Sequence, residues 1–407
     1  MLKFAIIDAA YRDGKLGAAG KMIKIWLDRK GVLASSDDAD VLLVSTVSNK
    51  PTRIIFDGPI IVGGPGALSP EYWAQKYTAC VLGDFQRWCD VAIRQGLDVA
   101  FDEPNVYISG QSGRVTIDND FPWTLPLCTN GDGRYQVVLS RGCKKRCAFC
   151  PVGWAYEYHE HPSPSGLIQR VRQVVSSGEK WSYCTNDLSA VSFSRILPAP
   201  ASASLSFDAL RRTAKRGGAL PRQIRIGVEG VSERVRKAVG KPLGTEELVS
   251  ATRWLMSQGK NVRWFMLAGL PGESTRDWLE FRDTLRECIR GASKGLLQSS
   301  FTTFTPRTGT PLVMSPLDDV YWDHYKQFED WFFAKGWSNR LSVLRPAIPK
   351  TRLERVKFIY GANPEKLNGA PPPNERVVGA HDRHRQRALD VYNNTMGTSV
   401  VLPMALQ

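Results

Sequence analysis

Histidine is scarce in this sequence: the 407 residues include five, and residues 1–158 include none. Cysteine is also sparse, and eight residues are too few for a disulfide-stabilised scaffold of this length. No segment reaches the roughly 18 consecutive apolar residues that a membrane-spanning helix needs. The N-terminus lacks the apolar core and small-residue cleavage site of a signal peptide. We therefore expect a cytoplasmic protein that does not associate with membranes.

Positive charge is in excess, since 54 Lys and Arg residues stand against 40 Asp and Glu residues for a net charge of +14. Such a balance favours polyanionic partners, with nucleic acid first, although a basic protein without such a partner is equally compatible with it. The length of 407 residues and a hydrophobic content of 43% predict two or more domains with ordinary cores.

Strand and helix signals alternate over the first hundred residues, and Gly-rich turns separate them. The apolar run Val41–Thr46 is typical of a buried strand, whereas apolar residues recur at helical spacing in Lys15–Lys30. This alternation predicts an α/β fold that begins with a Rossmann-like, doubly wound domain over residues 1–110. Residues 111–134 are rich in Asp, Asn, Pro and Gly, which predicts a linker.

A second alternating series of strands and helices covers residues 135–316. It predicts a full or partial (β/α) barrel, in which residues at the carboxyl ends of the strands converge. Residues 317–407 are predicted to form a mainly helical C-terminal extension with a basic tail. The aromatic stripe within Asp318–Lys335 is expected to belong to the core rather than to a base-stacking surface.

Three of the eight cysteines, Cys143, Cys147 and Cys150, fall within eight positions, in the pattern C-x3-C-x2-C. One tight loop can bring three such thiolates to three corners of an iron–sulfur cubane. With no fourth cysteine nearby, one iron keeps an open position. A zinc site is the alternative, because His159 and His161 follow the loop at short spacing.

Further segments follow this loop in an order that resembles the radical S-adenosylmethionine (SAM) superfamily. Residues 226–232 resemble the G-I/V-E-S-G-S strand end of the subfamily with a cobalamin-binding-type domain, although Gly230 replaces the usual Ser. Residues 267–273 resemble the G-L-P-G-E turn, and residues 305–312 resemble the P-x-x-G-T-P-L close of the barrel. The resemblance covers about residues 135–315.

The resemblance implies a 4Fe–4S cluster that chelates SAM and cleaves it reductively to a 5′-deoxyadenosyl radical. The cysteine triplet would supply the metal ligands, and an external donor such as flavodoxin or ferredoxin would supply the electron. The SAM contacts implied by the matching motifs are Phe149, Asn186, Asp187, Glu229, Gly269, Leu270 and Pro271. Alternatively, the Glu229 carboxylate has an ordinary structural role and pairs with Arg225 or Arg222.

The N-terminal segment also resembles the cobalamin-binding-type domain of that subfamily, since residues 61–65 match its V-G-G-P turn. The D-x-H-x-x-G motif that supplies the lower cobalt ligand is missing, because residues 1–158 contain no histidine. We therefore expect a related domain that does not bind cobalamin.

Three functions are compatible with these features. Modification of a nucleic-acid base is favoured by a run of basic residues between Arg211 and Lys241 and by tryptophans able to stack on a base. Radical methylation or rearrangement of a small metabolite or peptide is the alternative, and a non-catalytic cluster protein is the third. The candidate substrate residues are Lys144, Lys145, Arg211, Arg212 and Lys215, and the candidate stacking residues are Trp123, Trp154 and Trp181.

Overall fold

The chain forms three main sheets that contain parallel strands, and helices cover these sheets. The computed structural model describes residues 1–9, 15–46, 54–109, 115–198, 202–204, 220–344, 377–378 and 384–400, without positions 69, 75, 125–126, 130–132, 293, 305, 308, 314, 316–319 and 335–340. In these residues no helix is long and apolar enough to span a membrane.

The N-terminal sheet alternates with helices, as the sequence predicts. Its strands are β1 (Phe4–Asp8), β2 (Val41–Ser45), β3 (Ile60–Gly63), β4 (Ala79–Val81) and β5 (Val106–Tyr107). The helices between them are α1 (Ala18–Arg29), α2 (Pro70–Ala74), α3 (Phe85–Gln95) and α4 (Leu97–Phe101). Alternate strand residues face opposite layers. Leu43 packs with Leu27 of α1 and Trp88 of α3, whereas Val44 packs with Trp73 of α2 on the other face.

The strand order of this sheet corrects one prediction. A doubly wound sheet reverses its strand order near the middle. Here the order is β1-β2-β3-β4-β5, with β1 to β4 parallel and β5 antiparallel. Each new strand is therefore added at the same edge of the growing sheet. Helices nevertheless cover both faces of the sheet, as predicted.

The second part of the chain contains a small mixed sheet and a larger sheet of parallel strands. The smaller has the order β11-β8-β7, in which β7 (Cys128–Thr129) lies antiparallel to β8 (Tyr135–Val138), and β11 (Trp181–Cys184) lies parallel to β8. The larger is parallel throughout, in the order β12 (Ser202–Ser204), β13 (Gln223–Glu229), β14 (Asn261–Ala268), β15 (Leu296–Thr303) and β16 (Leu341–Leu344). Within the described residues no strand ladder joins β11 to β12, so these sheets do not form a closed barrel. The larger sheet also runs past residue 316, because β16 pairs with β15.

Short strand pairs connect distant segments. β9 (Ser140–Arg141) pairs with β10 (His159–Glu160), and β6 (Val115–Thr116) pairs with β17 (Val377–Val378). The remaining helices are α5 (Val152–Ala155), α6 (Pro164–Ser176), α7 (Glu233–Ala238), α8 (Thr245–Ser257), α9 (Thr275–Ile289), α10 (Val320–Ala334) and α11 (Arg385–Met396).

The main core lies between the larger sheet and its helices. Trp278 of α9 packs against Phe301 of β15 and against Tyr325 and Phe328 of α10, with ring centroids 5.2–5.6 Å apart. The described members of the predicted aromatic stripe, Tyr325, Phe328 and Phe332, are therefore core, as expected. α9 begins with a capping box in which Ser274 and Asp277 satisfy each other's backbone N–H groups, which sets the start of the helix.

Candidate active site

The cysteine loop follows β9 through Gly142, whose φ of 66° lies in the left-handed region. A Cβ atom at this position would overlap the carbonyl oxygen of Glu157, so the turn requires glycine both for its backbone conformation and for the close approach of the neighbouring chain. Because this turn directly precedes Cys143, it sets the direction in which the cysteine loop leaves the sheet.

Backbone hydrogen bonds connect the cysteine loop to two distant segments. The Ala148 N–H donates to the Val239 carbonyl at 3.1 Å, at the end of α7. The Ala148 carbonyl accepts from the Leu312 N–H at 3.3 Å, within the segment that resembles the close of the barrel. Ala148, which lies between Cys147 and Cys150, is therefore hydrogen-bonded to two segments that are distant in the sequence.

Trp154 packs in the core beneath the cysteine loop and does not face a ligand. Its side chain is 1% exposed, and its indole N–H donates to the Cys147 carbonyl at 2.9 Å. The prediction of a base-stacking role for Trp154 is therefore wrong, because its ring is in the core and its only N–H is used internally.

The three thiols share one buried environment. Burial raises the pKa of each, that of Cys147 to about 12, and charge on the neighbouring thiols raises the pKa values of Cys147 and Cys150 further. The Lys241 ammonium opposes this effect at all three positions. The structure therefore places the predicted metal ligands together and adds a cation that the sequence prediction had not assigned to them.

This donor set fits an iron–sulfur cubane. Thiolates are the ligands of such clusters, and each cysteine would bind a different iron. Among the described residues no three His, Cys, Asp or Glu side chains surround a single point as a lone metal ion requires. A cubane does not need that convergence, since its irons are spread over separate corners. The three thiols and the neighbouring ammonium are compatible in charge with the cluster that the motif implies.

Glu229 ends β13 beside this loop in an unusual backbone conformation. It is the one non-glycine residue with positive φ in the described part of the chain, at 66°, and it follows a β-bulge in the β13–β14 ladder. Its Oε1 accepts from the Lys241 Nζ at 3.4 Å, and the same Nζ donates to the Gly227 carbonyl at 3.1 Å. The partner is therefore Lys241 rather than Arg225 or Arg222. Burial raises the pKa of Glu229, although the Lys241 charge opposes that shift.

Asn186 and Asp187 follow β11 and approach the same loop. The Asn186 amide donates to the Gly142 carbonyl at 2.9 Å, and its side chain is otherwise exposed. Asp187 is 8% exposed, and its charge raises the pKa of Cys143. Phe149 is half-buried and packs against the main core. These three residues therefore lie around the cysteine loop, and their contact with SAM stays a prediction.

The G-L-P-G-E turn follows β14, next to the strand that carries Glu229. Gly269, Leu270 and Pro271 are all buried, and the Pro271 carbonyl accepts from the Tyr392 hydroxyl of α11 at 2.7 Å. The Gly269 N–H donates to Glu273 Oε2 at 3.2 Å. The C-terminal helix therefore holds this turn in place, and the contact of the turn with SAM stays a prediction.

Arg307 is a further residue at the site that the sequence analysis did not single out. Burial lowers the pKa of this guanidinium, and the charge of Cys150 raises it, which places Arg307 beside the cysteine loop. Its position inside the P-x-x-G-T-P-L segment could have pointed to it, but Arg307 occupies an x of that pattern, where any residue type is allowed.

Three of the six described members of the predicted basic run are engaged with other parts of the fold, whereas Arg222 and Lys237 are exposed. Arg236 is 1% exposed and donates to the Leu243 carbonyl at 2.8 Å, and Lys241 is held by Glu229. Arg234 forms an ion pair with Asp277. These cations are used inside the fold because they lie on helix and turn positions that pack against the larger sheet.

The remaining candidate substrate residues have mixed outcomes. Lys144 is exposed, lies over the Tyr158 ring at 4.4 Å and donates to the Ala190 carbonyl at 3.1 Å. Lys145 is half-buried, and its backbone N–H lowers the pKa of Cys143. Three predicted residues lie outside the described part of the chain, namely Arg211, Arg212 and Lys215.

A cavity of about 210 Å³ separates the N-terminal sheet from the cysteine loop. Ser45, Gly64 and Gly83 line it from the carboxyl ends of β2, β3 and β4, and Gly142 and Asn186 line it from the other side. Ligands of open α/β sheets bind at this edge. The cavity is smaller than the about 300–1,000 Å³ of typical small-molecule pockets.

An ion pair closes one wall of this cavity. The Arg141 Nη2 donates to both carboxylate oxygens of Asp84, at 2.9 and 3.0 Å, and the guanidinium lies over the rings of Phe121 and Tyr156 at 4.7 and 5.3 Å. Burial raises the pKa of Asp84 to about 6 despite the charge of Arg141. This pair joins the strand β9 before the cysteine loop to the N-terminal sheet.

Comparison with solved structures identifies the architecture. The radical SAM methyltransferase TsrM from Kitasatospora setae, solved with its tryptophan substrate and the SAM analogue aza-SAM, aligns with 77% of this chain and 75% of its own at a TM-score of 0.56 and 11% identity. The chain has a radical SAM fold. OxsB, a cobalamin-dependent SAM radical enzyme solved with aqua-cobalamin and SAM, aligns over 82% of this chain at a TM-score of 0.51 and 14% identity.

The extent of these matches differs between the two proteins. Apo OxsB aligns with 99% of this chain at a TM-score of 0.52 and 13% identity, but the alignments span only 55–62% of the OxsB chain. No protein-family model and no curated protein sequence matches this chain. The radical SAM fold is therefore established from structure alone.

The radical SAM fold leaves cobalamin binding open. OxsB was solved with aqua-cobalamin bound, and at 14% identity the shared fold does not carry that property to this chain. Two observations support the expectation that the domain does not bind cobalamin. Residues 1–158 contain no histidine, and the cavity beside the N-terminal sheet is small. We predict that no stoichiometric corrinoid copurifies with the protein. Acid extraction followed by visible spectroscopy tests this, and one equivalent of corrinoid would contradict it and favour methyl transfer.

The turn at Gly142 provides a test of the loop geometry. Gly142→Ala is expected to remove most of the bound iron, because the added methyl group overlaps the Glu157 carbonyl in addition to the cost of about 1–2 kcal/mol for an L-residue in the left-handed region. Gly133→Ala is the matched control, since Gly133 has a φ of 73° and no atom of the described residues lies within 4 Å of its added Cβ. Iron analysis of both variants decides the matter, and equal iron in Gly142→Ala and wild type would contradict the role of this turn.

Proposed function

We propose that the protein is a radical SAM enzyme that acts on a small molecule or peptide. The observation that carries this proposal is the assembly of motifs from distant parts of the chain around one loop. The Ala148 backbone between two cysteines bonds to Val239 and to Leu312, and the Glu229–Lys241 pair lies beside the thiols. Ala148, Glu229 and Leu312 belong to segments whose sequences resemble the radical SAM motifs, and Val239 and Lys241 follow the segment of Glu229 in the chain.

In this proposal Cys143, Cys147 and Cys150 hold a 4Fe–4S cluster with one open iron. Such a cluster, when bound and reduced by an external donor, would supply the one electron for cleavage of the C5′–S bond of SAM, and the 5′-deoxyadenosyl radical released with methionine would abstract hydrogen from the substrate. Lys241 favours the thiolate forms that metal binding requires and offsets part of their negative charge. Cys147 and Ala148 of the loop are buried, which limits the access of water to that part of the site.

Glu229 is proposed to bind a polar group of SAM. Its carboxylate is held toward the loop by Lys241, and the positive φ at this position directs the side chain back over Gly227. Backbone strain of this kind is often found where a residue must present its side chain to a ligand. Asn186 and Asp187 approach the loop from β11 and are proposed to contact the methionine end of SAM.

The choice of substrate class rests on where the basic residues lie. The proposal of nucleic-acid modification depended on an exposed basic face, and three described members of that run, Arg234, Arg236 and Lys241, are engaged with other parts of the fold, which leaves Arg222 and Lys237 as its exposed described cations. TsrM, which has the same fold, was solved with tryptophan as its substrate. Both points favour a small molecule or peptide over a polynucleotide.

We expect the reduced enzyme to release 5′-deoxyadenosine from SAM in the absence of substrate. The assay uses anaerobically reconstituted protein with dithionite, and liquid chromatography with mass spectrometry detects the product. Protein reconstituted without iron is the control and should release none. Release equal to that of the iron-free control would contradict the proposed function.

The same assay separates the substrate classes. Incubation with DNA or RNA oligonucleotides should leave every nucleoside unchanged after digestion and mass spectrometry. A modified nucleoside that depends on SAM and reductant would overturn the small-molecule proposal and restore nucleic-acid modification.

A further inference from the structure

Asp84 and Arg141 connect the N-terminal sheet to the cysteine loop, and the mechanism above does not use them. Asp84 lies between β4 and α3, whereas Arg141 ends β9, shortly before Cys143. The Arg141 Nη2 donates to both oxygens of the Asp84 carboxylate, and no other described residue donates to it. The Asp84 side chain is 10% exposed and the Arg141 side chain is 28% exposed. The contact is therefore a largely buried ion pair between residues that are 57 positions apart in the chain.

Asp84 occupies a position where an aspartate usually has a different role. It directly precedes α3 with an extended backbone, and an aspartate side chain at this position normally accepts a hydrogen bond from the first turn of the helix. The Asp84 side chain makes no such bond. Its carboxylate binds Arg141 instead, so α3 begins without a side-chain cap. The usual capping rule is broken here in favour of a contact with the strand before the cysteine loop, and departures of this kind are common at functional sites.

The environment of Asp84 makes its negative charge unfavourable. Burial raises the pKa of Asp84 to about 6, the Arg141 charge opposes this shift, and the charges of Asp118 and Asp120, from the segment after β6, add to it. Tyr156 also faces Asp84 and stays a neutral phenol, because burial raises its pKa to about 12. Replacing a buried ion pair with packed apolar side chains is often neutral or stabilising. A contact that served stability alone could therefore be apolar at this position.

The Arg141 guanidinium also holds the two ends of the cysteine loop together. It lies 5.3 Å from the ring centroid of Tyr156, which follows α5 on the far side of Cys150 in the chain. The Phe121 ring lies 4.7 Å from the same guanidinium. Such cation–π contacts are attractive and fix the guanidinium plane relative to the rings. Arg141, before the three cysteines, therefore contacts both a residue after them and the N-terminal part of the chain.

The position of Arg141 affects two residues of the proposed SAM site. Gly142 follows it directly and makes the left-handed turn into Cys143. The Gly142 carbonyl accepts a hydrogen bond from the Asn186 amide at 2.9 Å. A shift of Arg141 would therefore move both the first cysteine and the Asn186 side chain, because the Gly142 backbone connects them.

We propose that Asp84 and Arg141 are positioning residues, through which the N-terminal domain orients the cysteine loop for the binding and cleavage of SAM. Both act through Gly142 and Asn186 rather than on SAM itself. The N-terminal domain thereby has a part in the reaction that does not depend on a cofactor of its own. This inference rests on the proposed function, because the loop is oriented for the SAM that the proposed enzyme cleaves.

The double variant Asp84→Leu with Arg141→Met tests the proposal. It removes both charges together and leaves neither one buried without its partner, so we expect it to fold. It keeps the three thiols and should bind iron as wild type does. Because the directed contact with β9 is lost, the dithionite-reduced, iron-loaded variant should release 5′-deoxyadenosine roughly tenfold to a hundredfold more slowly than wild type, the size of effect that a misplacement of about 1 Å can have. Circular dichroism establishes that the variant is folded.

The single variant Asp84→Asn adds a readout that a purely structural role would not change. Wild type should bind SAM more weakly as the pH falls through about 6, because protonation of Asp84 removes the charge that holds Arg141. Asp84→Asn is neutral at every pH, so it should bind SAM more weakly than wild type at neutral pH and lack the step near pH 6. Equilibrium binding of SAM to the iron-loaded proteins measures this difference. Glu229 titrates in both proteins, and the carboxyl group of SAM titrates well below this range.

The matched control is Glu103→Gln. Glu103 forms an ion pair with Arg87, which belongs to the helix that Asp84 precedes. The variant therefore removes a carboxylate from a pair that connects two parts of the N-terminal domain, and not that domain to β9. It should keep the wild-type rate of 5′-deoxyadenosine release and the wild-type pH dependence of SAM binding.

Three results would overturn the positioning role. The first is a folded double variant that releases 5′-deoxyadenosine at the wild-type rate, and the second is a step near pH 6 that persists in Asp84→Asn. The third is the loss of iron from a folded double variant, which would assign the pair to cluster assembly instead of SAM binding. The proposed function has a separate outcome. If wild type releases no 5′-deoxyadenosine but its SAM binding depends on Asp84 as described, the proposed reaction is refuted and the positioning role is supported.

Discussion

Replacing Cys143, Cys147 and Cys150 together by Ala is expected to abolish iron binding, from about four atoms per chain to none. The three thiols are the cysteines that share the loop and the Lys241 charge, so no other trio can substitute for them. Iron analysis and the visible spectrum of anaerobically purified protein measure the effect.

The control for this variant removes cysteines that lie elsewhere. Cys128→Ala with Cys184→Ala should keep the full iron content, because these residues belong to the smaller sheet and Cys184 donates to Gln136 instead of approaching the loop. Circular dichroism establishes that each variant is folded. A brown, iron-containing triple variant would refute the assignment of the cluster ligands.

Glu229→Gln is expected to weaken SAM binding roughly tenfold to a hundredfold, the effect of losing a charged hydrogen-bond acceptor of about 1.5–3 kcal/mol. Glutamine keeps the length of the side chain and the strain of the positive φ, so the change isolates the charge. Equilibrium binding of SAM to the reconstituted protein gives the dissociation constant.

Two comparisons make the Glu229 result specific. Glu233→Gln changes a carboxylate four residues later that pairs with Lys237 on the surface, and it should leave SAM affinity unchanged. Iron content must also be measured, because Glu229→Gln leaves the buried Lys241 without its carboxylate partner. Wild-type SAM affinity in the Glu229→Gln protein would reduce Glu229 to a structural role.

Local sequence patterns were sufficient to predict many elements and the cluster loop. The apolar run Val41–Thr46 predicted a strand and the spacing in Lys15–Lys30 predicted a helix, and the structure has β2 at Val41–Ser45 and α1 at Ala18–Arg29. The cysteine spacing predicted one shared loop, and the structure places the three thiols in one environment. These features depend on residues close together in the chain, so a sequence pattern contains most of the relevant information.

Charge patterns were a poor guide to exposure. Arg234 and Arg236 were part of a run that predicted a phosphate-binding face, yet one pairs with Asp277 and the other bonds to the Leu243 carbonyl. The identity of a basic residue does not determine whether an acid from another helix lies opposite it. For the same reason the sequence did not predict the strand order of the N-terminal sheet, since the apolar pattern of a strand does not specify its neighbour.

The sequence by itself determined the α/β character of the chain, the cluster-binding loop and the resemblance of five segments to radical SAM motifs, because each depends on short-range spacing. Only the tertiary structure decided how those segments meet. It selected Lys241 as the partner of Glu229 and placed Arg307 beside Cys150. It also aligned Arg225 with Arg263 across two strands. These pairings arise from the register and packing of residues far apart in the chain, where charge and burial act through space rather than along the sequence.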